Sequence, residues 1–330
     1  MSDSQPDVSI VVVSFNTRDC LRECLNTLAA QAGGVSYETI VVDNASKDGS
    51  AEMIEKEFPE AKLIRSDVNL GFAAANNRGF EFARGRYIVL LNSDAFLKPG
   101  ALPLSVEKMD ANPGVGLAGA RLIGRDGEWQ PSARMFPSFT NDFLLMSGLS
   151  TKYSKSKLFG RVDRTWADPN AAAEVDWVPG AYSIIRREAL QKAGCFDERF
   201  FLYFEEVDLC RRIKAAGYSL WYWPDIVVVH IGGESSKTVS HLSMSKSGSQ
   251  LTLWRMRAEL LYYRKHHGLT GAWLAKELES MWHGLRASKN AKSPDPERQA
   301  KAKDSGMIVS LMKQAWKDTS GGQVSPPRPW

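Results

Sequence analysis

Tyr87-Ile88-Val89-Leu90-Leu91-Asn92-Ser93-Asp94 is an unbroken apolar run that stops in three polar residues. A run this apolar and β-prone reads as a strand buried on both faces, the pattern of a parallel sheet. Open α/β sheets bind their ligands beyond the carboxyl ends of the strands. Asp94 therefore falls where a carboxylate can hold a divalent cation over a diphosphate, with Asn92 and Ser93 shaping the turn. Taken alone, a strand ending in a polar turn is the simpler reading; the flanking sequence reverses that preference.

Upstream, strand and helix alternate with short breaks. Val8–Ser14 reads as a strand, Arg18–Gln31 as a helix with Leu21, Leu25 and Leu28 on one face, 38–43 as a strand, and 50–58 as a helix. Then follow a strand at 61–65, a helix at 72–83 and the strand 87–91. This order predicts an α/β, doubly wound, mostly parallel central sheet flanked by helices. The first turn, Ser14-Phe15-Asn16-Thr17, has no Gly-x-Gly-x-x-Gly fingerprint, and no Walker loop occurs, which counts against a dehydrogenase and a P-loop kinase. Downstream, Val115–Ile123 reads as a strand and 134–164 as a candidate mobile loop or lid. A strand at 178–186, helices near 188–193 and 205–216, and a strand at 226–230 follow. The 251–286 stretch has one or two amphipathic helices, 287–305 the composition of a flexible linker, 307–317 a short amphipathic helix, and 321–330 a disordered end.

With 330 residues, 43% hydrophobic and 24% charged, the chain can bury a substantial core. No stretch has the length and apolarity of a membrane span, and no signal pattern opens the chain, so a cytoplasmic location is expected. The four cysteines (Cys20, Cys24, Cys195, Cys210) imply no disulfide framework. From Arg255 onward 14 Lys/Arg face 7 Asp/Glu, a net +7 against −3 for the remainder. A basic tail on a slightly acidic body suggests an anionic membrane surface as a partner. Trp254, Tyr262, Tyr263, Trp273, Trp282 and Trp316 are interfacial residue types, although the same helical region can equally pack on the body. No nucleic-acid motif is visible.

Four polar clusters share strand ends: Ser14 with Asn16, Asp43 with Asn44, the Asn69-Leu70-Gly71-Phe72 turn with Asn76, and Asn92 with Asp94. Each alone is an ordinary turn or cap; converging on one sheet edge they read as a nucleotide site. Asp43 suits a pyrimidine imide or ribose hydroxyl, and Gly71 permits close backbone approach. In the second half, Glu205, Glu206 and Asp208 fall within nine residues that also hold Arg211 and Arg212. On a helix Glu205 and Asp208 share a face while Glu206 points about 100° away. The preceding aromatics favour burial, which raises a carboxylate's pKa toward that of a useful base. His230 ends an apolar strand before Gly232-Gly233-Glu234-Ser235 and suits a neutral imidazole ligand.

These ordered segments, from Val8–Ser14 through Val41-Val42-Asp43-Asn44, Asn69-Leu70-Gly71-Phe72, Leu91-Asn92-Ser93-Asp94 and Phe196-Asp197-Glu198-Arg199 to His230-Ile231-Gly232, resemble family-2 glycosyltransferases. These are inverting sugar-nucleotide enzymes of GT-A fold, and the similarity runs over roughly residues 8–267, closest to the rhamnosyltransferase-like branch. The resemblance implies a GT-A catalytic domain over 1–250 (nucleotide-sugar half about 1–125, acceptor half about 126–250). It also implies transfer from a nucleotide-diphosphate sugar, dTDP-rhamnose favoured, to a glycan or lipid-linked glycan in bacterial surface polysaccharide synthesis. Asp43 then binds the nucleobase, Asp94 the metal (Mg²⁺ or Mn²⁺) and His230 the metal or diphosphate. The general base falls on Glu206, with Glu205 and Asp208 as alternates, and Trp177, Gly180, Ala181 and Arg186 lie on the acceptor side. Asn92 departs from the family's Asp-x-Asp, removing one charged ligand. A UDP-hexose or UDP-galactofuranose donor, a nucleotidyltransferase and a non-catalytic sugar-nucleotide binding protein are the competing readings.

Overall fold

The apolar runs at the amino end form strands because both of their faces are covered. β1 (Val8–Ser14), β2 (Tyr37–Asp43), β3 (Lys62–Arg65) and β4 (Tyr87–Asn92) alternate with α1 (Arg18–Gln31), α2 (Ser50–Glu57) and α3 (Phe72–Phe80). Along β1 successive side chains go to opposite faces: Ile10 and Val12 join Leu21 and Leu25 of α1, while Val11 joins Ala73 and Phe80 of α3. The computed structural model describes residues 5–232, 248–326 and 328. Of the turn after His230, Gly233, Glu234 and Ser235 lie outside the described residues.

The remaining strands are β5 (Ala95–Leu97), β6 (Val115–Ile123), β7 (Trp129–Gln130), β8 (Ala173–Glu174), β9 (Tyr182–Arg186) and β10 (Ser219–His230), with α4 (Ala101–Ala111), α7 (Arg187–Ala193) and α8 (Glu205–Ala215) packed around them. The sheet runs β3-β2-β1-β4-β9-β6-β10-β5, with β7 on β6 and β8 on β10. Its first four strands are mutually parallel. The second half is mixed: β6 runs with β10, but β9 opposes both neighbours and β5 opposes β10. β9 is reached through the long 131–181 excursion rather than a single crossover helix, and so enters antiparallel.

The 134–164 stretch is not an unanchored loop. It holds α5 (Phe139–Met146) and α6 (Leu149–Lys152), and α5 is docked on α9 (Gly248–Ala291), which breaks at Gly268 (φ 70°). Phe139 stacks on Tyr263 (5.2 Å), the Tyr263 hydroxyl donates to Asp142, and Phe143 meets Trp282 edge-on (5.5 Å). The expected linker is helical as well: α9 continues to Ala291, and α10 (Pro296–Asp318) starts at Asp295, whose carboxylate accepts the Glu297 N–H (2.9 Å). Its polar composition hid an N-cap followed by proline in the first turn. Residues 321–325 are also packed, with Gln323 N–H on Thr319 O (2.8 Å) and Ser325 Oγ on Arg199 O (3.4 Å).

α9 is tied to the body by charge. Asp208 of α8, fully buried, accepts from Arg212 Nε (2.8 Å), Lys265 Nζ (2.8 Å to Oδ1) and His266 Nε2 (2.8 Å). Lys265 also reaches Asp197 (2.8 Å), and Arg257 joins Asp318 of α10 (2.5 Å). Asp208→Ala removes the carboxylate shared by Arg212, Lys265 and His266, leaving Lys265 only Asp197 and Arg212 only backbone carbonyls, and urea unfolding of the full chain should show a loss of about 3–5 kcal/mol. A loss below about 1 kcal/mol, the size of a surface pair, would contradict this account of how α9 is held.

Candidate active site

Register brings the polar strand ends together. Ser14 pairs with Asp43, and Val13 pairs with Asn92, so three carboxyl-terminal positions lie side by side at the interstrand spacing of about 4.8 Å. Asp43 is buried: its Oδ2 accepts the Ser46 N–H (3.2 Å), while Oδ1 has no partner among the described residues. Burial raises its pKa, only partly opposed by the bond from Ser46. An orphaned acceptor at this edge matches a ligand donor such as an imide N–H.

Most other candidates in this cluster are braces. Ser14 Oγ meets Thr17 Oγ1 (3.0 Å), which donates to Ser93 Oγ (2.8 Å). Asn16, at φ 53°, takes the Lys47 N–H on Oδ1 (2.7 Å). Asn44 receives Leu70 N–H (2.8 Å) and donates to Asn69 Oδ1 (2.9 Å), and Asn76 donates back to Phe72 O within α3 (2.9 Å). Asn92 donates its backbone N–H to Ala181 O (3.1 Å). Gly71 differs from expectation. At φ 82° a Cβ there would sit 2.4 Å from Phe201 O, and the neighbouring Phe72 N–H donates to that same oxygen (2.8 Å). The close approach is to the chain that carries the acids, not to a ligand.

Asp94 and His230 meet because of topology. β5 begins directly after Asp94 and pairs antiparallel with the end of β10, Ala95 opposite His230, and Ile231 N–H donates to Asp94 O (3.1 Å). His230 Nε2 then lies 3.5 Å from Asp94 Oδ1. Gln130 Nε2 donates to His230 O (2.9 Å), which turns Gln130 Oε1 toward His230 Nδ1 (3.2 Å). The proton thus belongs on Nδ1 and the Nε2 lone pair faces the carboxylate. Burial lowers the His230 pKa against the pull of Asp94, which favours the neutral ring. Two lone-pair donors facing each other at this distance fit a shared cation, with the second-shell support usual for metal-bound histidine. Among the described residues no third His, Cys, Asp or Glu joins them, so further ligands would come from a diphosphate or water.

The acids open α8. Tyr203 (φ 73°) and Phe204 (φ 66°) are both left-handed immediately before it, a costly conformation for aromatic residues that marks functional sites. Glu205 Oε2 and Glu206 Oε2 are both buried without a partner among the described residues. Burial, with the charge of Glu206 added, pushes Glu205 well above the carboxylate range. Burial also raises Glu206, where its own and Val207's N–H groups and Arg134 pull the other way. Glu205 is thus the neutral acid and Glu206 the more ionisable one. Asp208 is removed as an alternate base: although burial opposes ionisation, His266, Arg212 and Lys265 hold it below its ordinary value.

Trp177 donates Nε1–H to Met135 O (2.9 Å), and Arg134 stacks on its ring (5.0 Å). Gly180 lies against Phe72, and Ala181 is buried beside Asn92. Arg186 belongs elsewhere. It pairs with Tyr87, at the opposite end of β4 from Asn92, and donates to Val115 O (2.9 Å) and Met109 O (2.7 Å). Antiparallel β9 carries it to the far edge of the sheet, where it ties β6 and α4. Sequence reasoning missed Gln130, Thr17 and Arg134. No motif flags them, because each acts through a partner far along the chain.

A sheet with parallel first strands and mixed later ones, an Asp/His pair at one strand end and a buried acid pair opening α8 fits the GT-A fold of sugar-nucleotide-dependent glycosyltransferases. A mannosyltransferase from Pyrobaculum calidifontis, solved in complex with GDP-Man and Mn²⁺, superposes with a TM-score of 0.54 at 16% identity over 96% of this chain and 88% of that one. Residues 9–194 match the family model described as Glycosyl transferase family 2, and the chain belongs to that family. It is 27% identical over 274 residues to the N-acetylglucosaminyl-diphospho-decaprenol L-rhamnosyltransferase of Mycobacterium tuberculosis, covering 77% of this chain and 85% of that protein. It is 26% identical over 246 residues to the rhamnosyltransferase WbbL of Escherichia coli, covering 70% and 86%. The protein is thus a family-2 glycosyltransferase.

Glu206 must lose its proton to act as a base, and burial raises its pKa above the ordinary 4.5. The rate should therefore fall, as pH is lowered, through an inflection above 4.5 in kcat/KM against pH; an inflection at or below 4.5 would reject this environment for the base.

Proposed function

We propose that this glycosyltransferase moves a sugar from a nucleotide-diphosphate donor to a hydroxyl of a glycan acceptor, with inversion at the anomeric carbon. The observation that carries the reading is the set of buried carboxylate oxygens left without partners: Asp43 Oδ1, Glu205 Oε2 and Glu206 Oε2. Buried acceptors are rarely left unpaired without a reason, and in this reading they serve the two substrates the reaction needs. The donor half is assigned to about 1–125, the acceptor half to about 126–250, and the helical extension to the residues beyond.

In this mechanism Asp43 accepts from the base or ribose of the nucleotide. Asp94 and His230 would hold the divalent cation, Mg²⁺ or Mn²⁺, with Gln130 fixing the imidazole. When bound, the cation neutralises charge on the departing diphosphate. Glu206 takes the proton of the acceptor hydroxyl as its oxygen bonds to the anomeric carbon, and the bond to the diphosphate breaks on the opposite face. Glu205, kept neutral, adds no second negative charge beside the base. Trp177, Gly180 and Ala181 wall the acceptor side.

dTDP-rhamnose is the favoured donor because the two relatives described above are named rhamnosyltransferases. The mycobacterial name also specifies a diphospho-linked acceptor sugar on a prenyl chain, which favours a lipid-linked acceptor here and a role in bacterial surface polysaccharide synthesis. Such an acceptor favours a peripheral position on the inner face of the plasma membrane. No helix among the described residues is long and apolar enough to cross a membrane. Of the aromatic residues, Trp254, Tyr262 and Tyr263 are buried against the body, whereas Trp273 is 48% exposed on α9. One face of α9 carries Leu274 (40% exposed), Met281 (63%) and Leu285 (68%), with Lys289 near the end of the helix and Lys292 just beyond it.

Glu206→Gln should lower kcat by about 10²–10⁴-fold with donor affinity unchanged, read by nucleotide release from dTDP-rhamnose; near-normal turnover would remove Glu206 as base. The double variant Met281→Ser/Leu285→Ser should lose co-sedimentation with anionic vesicles while retaining its fold. Equal sedimentation of both proteins would discard this face as the lipid contact.

A further inference from the structure

Away from the strand edge, an open cavity of about 470 Å³ lies between the 135–138 segment, the start of α5 and the carboxyl-terminal half of α8. That volume is in the range of small-molecule sites. Arg161, Arg211 and Lys214 line it with one carboxylate, Asp176. Asp176 is already engaged, accepting from Lys214 Nζ (2.9 Å) and the Phe136 N–H (3.0 Å). Arg211 donates to the Tyr262 hydroxyl (2.8 Å), lies 3.2 Å from His267 and sits over the Phe136 ring (5.7 Å), and no ion pair with a carboxylate holds it among the described residues. Arg161 is half-buried and its side chain has no partner among the described residues. A partly desolvated guanidinium without a counter-charge is unfavourable unless a ligand supplies one. The planar fork of arginine matches the oxygens of a phosphate.

Two pieces of chain lead from the acids to this cavity. Along α8, Arg211 and Lys214 follow Glu206 by about 7.5 and 12 Å of helix rise. Along the other wall, Arg134, whose charge acts on Glu206, runs directly into Met135 and Phe136 of the lining.

We propose that this cavity seats the phosphate or diphosphate borne by the acceptor sugar, with Arg161 and Arg211 as its anion ligands and Phe136 as an apolar wall. The assignment rests on the reading of the chain as a transferase with a diphosphate-linked acceptor, and it says where the anionic end of that acceptor lies.

The test is calorimetric titration of the full chain with inorganic pyrophosphate and with farnesyl diphosphate, both in EDTA so that no cation recruits them to Asp94. Both should bind, the farnesyl compound at least as tightly. Arg161→Gln should weaken each about 10-fold or more, the effect of losing a charged hydrogen bond, with Arg161→Lys recovering part of it and Asp94→Asn changing nothing. In turnover, Arg161→Gln should raise KM for a diphosphate-linked acceptor while leaving the KM for donor and kcat unchanged. Binding insensitive to Arg161→Gln, or abolished by Asp94→Asn, would overturn the site. Binding of pyrophosphate with exclusion of farnesyl diphosphate would make it a pocket for free anions and overturn the acceptor assignment. Should the chain transfer no sugar from any nucleotide donor, the functional reading fails while the titrations still decide what the cavity binds.

Discussion

The structure depends on one buried charge. Asp208 is closed off from solvent and is stable there only because Arg212, Lys265 and His266 surround it. An isolated carboxylate in that position would be prohibitively unfavourable, so α8 and α9 are obliged to meet in one register. That meeting sets the depth of Phe204 against Tyr262 (5.5 Å) and of Phe201 against Trp254 (4.4 Å). Those contacts flank the left-handed Tyr203-Phe204 pair from which the first turn of α8 begins. The carboxyl-terminal helices are therefore part of the machinery that presents the acids, and not an appendage to it.

The opposite wall obeys a different constraint. Parallel strands in register align their carboxyl ends without any specific side-chain contact, so Ser14, Asp43 and Asn92 become neighbours through backbone pairing alone. Antiparallel pairing then performs two further placements. β5 on β10 carries Asp94 to His230, whereas β9 on β4 carries Arg186 away to the far edge. Strand direction, more than distance along the chain, decides which residues can share a substrate.

The alternating first ninety residues were legible because apolar runs and helical spacing are local signals, and the ends of β1 and α1 fall where the pattern puts them. Asp43, Asp94, His230 and Glu206 were legible as polar groups at element ends, which is where the structure has them. Their supports were not. Gln130 reaches His230 across 100 positions and Thr17 reaches Ser93 across 76, and sequence alone carries no trace of such partners. The polar stretch after 287 misled for a physical reason: α10 needs little apolar surface because α9 supplies the other half, with Leu311, Met312 and Ala315 packed on Leu253, Met256 and Leu260.

Gly71 has a wider bearing than its size suggests. It lets the turn at the start of α3 touch Phe201 with no space between them, and one backbone hydrogen bond from Phe72 fastens the contact. The turn belongs to the edge assigned to the nucleotide, and Phe201 to the segment that leads into the acids. Strain introduced on either side is therefore felt on the other. By thermodynamic reciprocity, any preference a first substrate creates there must be returned in equal measure by the second. A single missing side chain lets the two halves meet backbone to backbone.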